Sequence, residues 1–126
     1  MDFTLHASLP ASDIERARAW YSDKLGLEPI EEGPGGELRY DAGGTQFGVY
    51  PSAFAGTNQA TAAMIAVSDF DTALAEMRSR GIVFEDYDFG EDFRTVDGVL
   101  EAPDGERAAW FKDSEGNILG VLARPA

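Results

Sequence analysis

Two segments of this chain share a pattern and begin 56 residues apart, at 12–17 (SDIERA) and at 68–73 (SDFDTA). Each opens a run of apolar residues at helical spacing, and a glycine ends each run, Gly26 in the first and Gly81 in the second. A chain built from two copies of one unit must place equivalent residues in equivalent positions. The functional site of such a small protein is expected where the two copies meet.

A second pair of matching segments follows the helical runs. Residues 47–50 (FGVY) return as 119–122 (LGVL), so Gly48 and Gly120 occupy equivalent positions. A glycine inside a strand weakens the strand and often marks close approach by a ligand or another backbone. Two interpretations follow: the glycines leave room in a binding cavity, or they allow strand curvature and tight packing.

Hydrophobic periodicity predicts the order strand, helix, strand, strand, strand in both halves, with one additional strand in the second half. Ser12 is predicted as the N-cap of the first helix, with Glu15 completing a capping box. This order indicates an α+β fold with a mostly antiparallel sheet in each half. The predicted strands are 3–9, 27–31, 37–40 and 45–50 in the first half, and 61–67, 82–85, 95–101, 107–112 and 117–123 in the second.

Length and charge restrict the possible functions. At 126 residues the chain suits one domain, and each half would be too small to be stable alone. The formal net charge of -13 would repel nucleic-acid phosphates and anionic membranes, so neither is expected as a partner. The same charge would attract a cationic ligand. The alternative is that acidity only maintains solubility.

Other compositional features point to a simple soluble protein. The absence of cysteine excludes disulfides and thiolate metal sites. No apolar run reaches membrane-spanning length, and the N-terminus lacks a signal-peptide pattern. We therefore expect a soluble, cytoplasmic protein.

The repeated motifs resemble those of the vicinal oxygen chelate superfamily, which contains glyoxalase I, the extradiol dioxygenases and the bleomycin-resistance proteins. The resemblance extends over essentially the whole chain, and Ser114 stands where the family's last turn has proline. The segments that carry it, in the family's order and spacing, are 13–17 (DIERA), 20–21 (WY), 25–27 (LGL), 67–71 (VSDFD), 80–81 (RG) and 113–117 (DSEGN).

The resemblance implies two βαβββ modules that each form half of an open barrel and together enclose a cavity. We expect a single domain over 1–126, with module one at about 1–53, a linker at about 54–60 and module two at about 61–126. Open half-barrels leave sheet edges and an apolar face exposed, so a homodimer is also expected.

The resemblance also implies where a metal would bind, because the family's enzymes take ligands from the first and last strand of each module. Three of the four corresponding residues here lack a side chain that can bind a metal. Since catalytic zinc or iron sites need about three protein ligands, we expect neither a metal nor another cofactor. Gln46 and Glu101 are alternative oxygen donors that would require a different geometry. The four family positions fall on His6, Gly48, Ala62 and Gly120.

His6 is the one imidazole of the chain and the one candidate for a catalytic residue. It has the chemistry of a hydrogen-bond partner for a ligand or of a general base near neutral pH. The alternative is a histidine satisfied by a neighbouring hydroxyl or carbonyl group. No nucleophile with its base, phosphate loop or dinucleotide fingerprint accompanies it, so catalytic residues stay unassigned.

An acidic and aromatic segment at 84–93 (FEDYDFGEDF) is a second candidate for ligand binding. It interleaves four aromatic residues with five carboxylates, which suits a flat cationic ligand through stacking, cation–π contact and charge. The alternative is that the aromatic residues cover the core while the acids stay in water. Together with the family positions, the predicted ligand-binding residues are His6, Tyr40, Gly48, Ala62, Tyr87, Phe89, Trp110 and Gly120.

Three functions remain open at this point. The leading hypothesis is metal-free binding of a small organic molecule, as in the bleomycin-resistance proteins, with a cationic aromatic compound as the ligand. The first alternative is a lyase or oxygenase of the glyoxalase or dioxygenase type with a displaced metal site. The second is a structural or regulatory module whose cavity is filled by its own side chains. Fold alone cannot choose among them, because one fold supports several chemistries.

Overall fold

A computed structural model describes residues 1–91 and 93–123. These residues form two compact units. Unit one contains Met1–Gln59 together with the turn Asp113–Asn117, and unit two contains Ala60–Lys112 together with the last strand. In chain order the elements are β1 (Ala7–Ala11), α1 (Ile14–Leu25), β2 (Glu31–Glu32), β3 (Leu38–Ala42), β4 (Thr45–Pro51), β5 (Thr61–Val67), α2 (Phe70–Ser79), β6 (Thr95–Val96), β7 (Val99–Glu101), β8 (Arg107–Lys112) and β9 (Ile118–Ala123).

The sheet of unit one has the strand order β1-β4-β3-β2. β1 and β4 pair in parallel, and the other two pairs are antiparallel. Because side chains alternate across a sheet, one face carries the buried residues Tyr40 and Val49, which pack on the side of Ala17 and Tyr21 from α1. The opposite face carries Gly48.

The sheet of unit two repeats this arrangement in the order β5-β9-β8-β7-β6, with β5 and β9 parallel. Its core contains Phe70 and Leu74 of α2 with Ala109, Phe111 and Val121 of the sheet, all of them buried. The predicted α+β class with two βαβββ modules is therefore confirmed. Each unit has its own sheet, and neither sheet closes on itself.

Two predicted strands in unit one have the wrong bounds. β1 begins at Ala7 rather than Phe3, because parallel pairing with β4 starts at Ala7 and residues 1–6 are exposed. Of the predicted strand 27–31, only its last residue is in β2, the two-residue strand Glu31–Glu32. The first correction matters for function, since it moves His6 off the strand.

Two predicted strands in unit two also differ from the structure. The predicted strand 95–101 is divided into β6 and β7 by a turn at Asp97 and Gly98, whose φ angles of 52° and 78° an extended strand cannot contain. Over 82–85 there is no strand, although Glu85 N–H donates to the carbonyl of Trp110 at 2.7 Å.

The helices begin at aspartates. Asp13, not the predicted Ser12, is the N-cap of α1, and its carboxylate accepts the Arg16 N–H at 3.0 Å. Asp69 caps α2 in the same way by accepting the Thr72 N–H at 3.1 Å. Neither helix of the described chain is long and apolar enough to cross a membrane.

The turn Asp113–Asn117 is hydrogen-bonded to both β1 and α1 of unit one. Asp113 accepts from the Tyr21 hydroxyl at 2.6 Å and from the Asn117 side-chain amide at 2.9 Å, and that amide also donates to the carbonyl of Pro10. Burial, followed by the negative charge of Asp113, raises the pKa of Tyr21, which therefore stays protonated. The turn thus joins β1 to α1 through buried, fully paired polar groups.

Candidate functional site

The last strand of unit two passes beneath two large side chains. In the strand register, Gly120 of β9 lies between Met64 of β5 and Trp110 of β8. A Cβ atom built on Gly120 would overlap the Met64 sulfur. It would also lie 2.7 Å from the Met64 methyl carbon and 3.0 Å from Trp110 Nε1. The space above Gly120 is therefore filled by a thioether and an indole.

Trp110 begins a continuous line of aromatic rings on unit two. Its ring centroid lies 6.0 Å from that of Tyr87, edge to face; Tyr87 stacks on Phe89 at 5.7 Å, and Phe89 contacts Phe93 at 6.3 Å. We call these four rings and Met64 the aromatic surface. Phe89 is 72% exposed, Phe93 53% and Met64 44%. Phe89 and Phe93 therefore lie largely in water, which is unusual for adjacent large apolar side chains, while Tyr87 and Trp110 are half-buried.

Part of the segment 84–93 is structural instead. Phe84 is buried and packs edge-on against Phe111, with ring centroids 5.9 Å apart. Asp86 accepts hydrogen bonds from the Thr95 hydroxyl and from the Gly98 N–H, each at 2.9 Å. This end of the segment therefore follows the alternative interpretation, in which aromatic residues cover the core.

Among the described residues of the segment, the carboxylates other than Asp86 are exposed or half-exposed. Asp88 lies 3.8 Å from Arg94 Nε and is partly neutralised by it. Glu91 is exposed. Asp92 lies outside the described residues. Glu85 is half-exposed, and its carboxylate is 3.7 Å from the Lys112 ammonium.

Tyr87 keeps its proton at neutral pH. Burial, followed by the negative charge of Glu85, raises the pKa of the Tyr87 hydroxyl. The ring is therefore a neutral phenol with a carboxylate nearby. A cation placed over such a ring is attracted by both the ring and the charge.

The equivalent row of unit one has different chemistry. Gly48 of β4 lies between Ser8 of β1 and Arg39 of β3. A Cβ atom on Gly48 would meet no atom closer than 3.7 Å, so the space above this glycine is open. Met64 and Trp110 of unit two are thus replaced by a hydroxyl and a guanidinium.

The two glycines are expected to respond differently to alanine. At Gly48 the added methyl makes ordinary contacts, so the free energy of unfolding should stay the same or rise by up to about 1 kcal/mol. At Gly120 the methyl displaces the flexible end of Met64 and lies 3.0 Å from Trp110 Nε1, so the free energy of unfolding should fall by about 1 kcal/mol. Urea unfolding of both variants measures this, and equal stabilities would contradict the described difference between the rows.

The residues at the family's metal positions do not fit a metal ion. His6 is exposed and precedes β1, and its Nε2 lies 3.2 Å from the Thr4 hydroxyl. Ala62 lies where the pairing of β5 and β9 shifts register. Gly120 is covered by Met64. Within residues 1–91 and 93–123, no three His, Asp or Glu side chains are grouped so that they could hold one ion.

Tyr40, one of the predicted ligand-binding residues, lies in the core. Its ring stacks on Phe47 at 5.1 Å and contacts Tyr21 at 5.5 Å, and the residue is fully buried. Burial raises the pKa of its hydroxyl, which has no hydrogen-bond partner among the described residues. The sequence did not indicate this burial, because alternation along β3 does not reveal which face of the strand meets the helix.

A separate open cavity of about 590 Å³ lies on unit two. Both of its arginines are already paired: Arg107 binds Asp71 through two hydrogen bonds of 2.8 and 3.2 Å, and Arg94 lies near Asp88. None of its lining residues is aromatic, so it is less suited to an aromatic ligand than the aromatic surface. The cavity is lined by Glu91, Arg94, Val96, Val99, Glu101 and Arg107.

The structure brings together three of the predicted residues, Trp110, Gly120 and Tyr87, and places Phe89 next to them. Sequence reasoning missed Met64, which covers Gly120. A signal for it was present, since Met64 precedes the Asp69 cap by the same five positions that separate Ser8 from Asp13.

A sequence model of the Glyoxalase/Bleomycin resistance protein/Dioxygenase superfamily matches residues 4–121. No curated protein matches the chain in sequence. The superfamily model therefore covers residues of both units but indicates no single activity.

Several solved structures share the fold over nearly the whole chain. A lactoylglutathione lyase from Agrobacterium tumefaciens has a TM-score of 0.71 at 17% identity, covering 98% of this chain and 94% of its own. TnmS3, an antibiotic binding protein from Streptomyces sp. CB03234, has 0.67 at 21%, covering 99% of each. The fosfomycin resistance protein FosX from Listeria monocytogenes has 0.68 at 13%, covering 99% and 95%. At these identities the likeness concerns the fold alone.

Proposed function

This chain belongs to the Glyoxalase/Bleomycin resistance protein/Dioxygenase superfamily, and on that premise we propose that it binds a small organic molecule and leaves it chemically unchanged. The proposed ligand is a cationic aromatic compound that rests on the aromatic surface of unit two. Proteins of similar fold include both a lyase and an antibiotic binding protein. The side chains of this chain, rather than its fold, therefore indicate the function.

The proposal rests on one observation, a line of rings that is half-buried at Trp110 and Tyr87, above Gly120, and exposed at Phe89 and Phe93. Stacking and edge-to-face contacts fix the rings of Trp110, Tyr87 and Phe89 relative to one another. A flat ligand can stack on a preformed ring surface with little loss of side-chain freedom. Each cation–π contact would add about 0.5–2 kcal/mol.

Charge favours a cation at this surface. Glu91 is exposed on the segment that bears Phe89, and Glu85 lies beside Tyr87 with its carboxylate 3.7 Å from the Lys112 ammonium. The formal net charge of -13 adds a long-range attraction for cations, which salt would screen. A neutral ligand of the same shape would keep the stacking contacts but would lack this attraction to the negative charges.

The proposal includes no metal because the available donor set does not fit one. His6 is the one family position with a ligand side chain, and it is exposed outside β1. The space at Gly120 is taken by Met64 and Trp110. The homodimer, the cytoplasmic location and the cavity between modules stay predictions.

Replacing Phe89 with alanine tests where the ligand binds. Phe89 is 72% exposed, so its loss should change the free energy of unfolding by less than about 0.5 kcal/mol. It should weaken binding of the N-methylquinolinium cation by about two- to tenfold, since one stacking partner is lost. Isothermal titration calorimetry measures the affinity of Phe89→Ala and of the unmodified protein for N-methylquinolinium under the same conditions.

Phe54→Ala is the matched control, because Phe54 is 76% exposed but lies in unit one. Its affinity for N-methylquinolinium should equal that of the unmodified protein. Equal weakening in the two variants would show non-specific contact with exposed phenylalanine and would refute the proposed site.

A further inference from the structure

We propose that unit one carries a separate site for an anionic oxygen group, a carboxylate or a phosphate, formed by Ser8, Arg39 and the open space above Gly48. This site does not depend on the proposed function, because it involves other residues and an opposite charge. Either can fail while the other holds.

The first component is a guanidinium with free donors. Arg39 Nη1 donates to Glu31 Oε2 at 2.8 Å. Its Nε and Nη2 atoms have no hydrogen-bond partner in the described part of the chain, and the side chain is 49% exposed. Two donors in a fixed plane match the two oxygens of a carboxylate or phosphate.

The second component is an open glycine flanked by polar groups. Ser8 and Arg39 are the two strand partners of Gly48, and Ser8 Oγ would lie 3.8 Å from a Cβ atom on that glycine. The Ser8 hydroxyl has no hydrogen-bond partner within residues 1–91 and 93–123 and is exposed. Because no side chain stands on Gly48, a ligand oxygen can approach the backbone there.

Neighbouring residues leave the site available. Asp41, the next residue of β3 on this face, accepts the Gly44 N–H at 3.0 Å and is directed to that turn. Gln46 occupies the corresponding position on β4, opposite Asp41, and is half-buried. The equivalent row of unit two has neither a guanidinium nor a hydroxyl group, since a thioether and an indole cover its glycine.

Titration with inorganic phosphate and with acetate, at constant ionic strength, tests the site. Heteronuclear NMR follows the backbone amides of Ser8 and Gly48 and the Nε–H group of Arg39. These signals should shift together and saturate. Arg39→Gln should raise the dissociation constant for phosphate by about tenfold, since a charge-assisted bidentate contact is lost. Gly48→Ala fills the space and should weaken binding without altering the fold.

Arg94→Gln is the matched control, because Arg94 is 50% exposed and lies in unit two. It should leave the dissociation constant within about twofold. Saturation with phosphate but not acetate would restrict the ligand to phosphates, and the reverse to carboxylates. Non-saturating shifts spread over the surface, or equal affinity in Arg39→Gln and the unmodified protein, would overturn the proposal.

Discussion

Replacing Glu115 with glutamine is expected to lower the free energy of unfolding at neutral pH by about 3 kcal/mol. The Glu115 side chain is fully buried and forms an ion pair with Arg16, whose Nε lies 2.8 Å away. It also accepts hydrogen bonds from the hydroxyls of Ser12 and Ser114 and from the N–H of Asp13. Glutamine has one acceptor oxygen for these donors and no charge for Arg16.

The loss should depend on pH in a defined direction. Burial by itself would raise the pKa of Glu115, but hydrogen bonds from Arg16, Asp13 and Ser114 and the charge of Arg16 hold it at about 2, against an ordinary 4.5. Because folding lowers this pKa, the stabilisation is complete above about pH 4.5 and is lost as pH falls towards 2. The difference between protein and variant should fall by about half at about pH 3.

Urea unfolding at neutral pH and at about pH 3 measures the free energy lost in Glu115→Gln and how that loss changes with pH. Glu106→Gln, at an exposed position of unit two, is the control and should change stability by less than about 0.5 kcal/mol. A Glu115→Gln variant whose loss is the same at both pH values would contradict the account of this ion pair.

Replacing Trp110 with alanine is expected to weaken binding of N-methylquinolinium by at least about tenfold. Trp110 is the ring that joins Met64 to Tyr87, so its removal interrupts the aromatic surface as well as removing one contact. Trp110→Phe keeps a ring at this position and should lose only about two- to threefold.

Calorimetric titration of both variants gives the affinities, and circular dichroism establishes that each is folded at the titration temperature. Unchanged affinity in Trp110→Ala would show that this residue is not part of the binding site. If Trp110→Phe lost as much affinity as Trp110→Ala, a shift in the sheet rather than the missing ring contact would be responsible.

Much of the fold follows from local signals in the chain. α1 ends directly before Gly26 and α2 ends two residues before Gly81, and the matching segments 47–50 and 119–122 lie in β4 and β9. Equivalence of Gly48 and Gly120 could therefore be predicted, because a repeat fixes register relative to itself. The side chains that cover each glycine could not be predicted, because they belong to the neighbouring strands and the repeat does not determine them.

The first strand shows why the site was harder to predict. Alternation of apolar residues continues from Phe3, but a strand exists only where it has a partner, and pairing begins at Ala7 opposite Phe47. His6 therefore lies outside the sheet, and Ser8 takes the place opposite Gly48. Strand alternation cannot locate this boundary, because both sides of it have the same pattern.

The central claim is that the protein binds a cationic aromatic molecule on unit two. The most direct measurement is calorimetric titration of the unmodified protein with N-methylquinolinium and with quinoline, which has nearly the same shape and is uncharged at about pH 8. The account predicts saturable binding of the cation, at least about fivefold tighter than quinoline and weakened by salt. Equal affinity for the two compounds, or no binding of the cation, would contradict it.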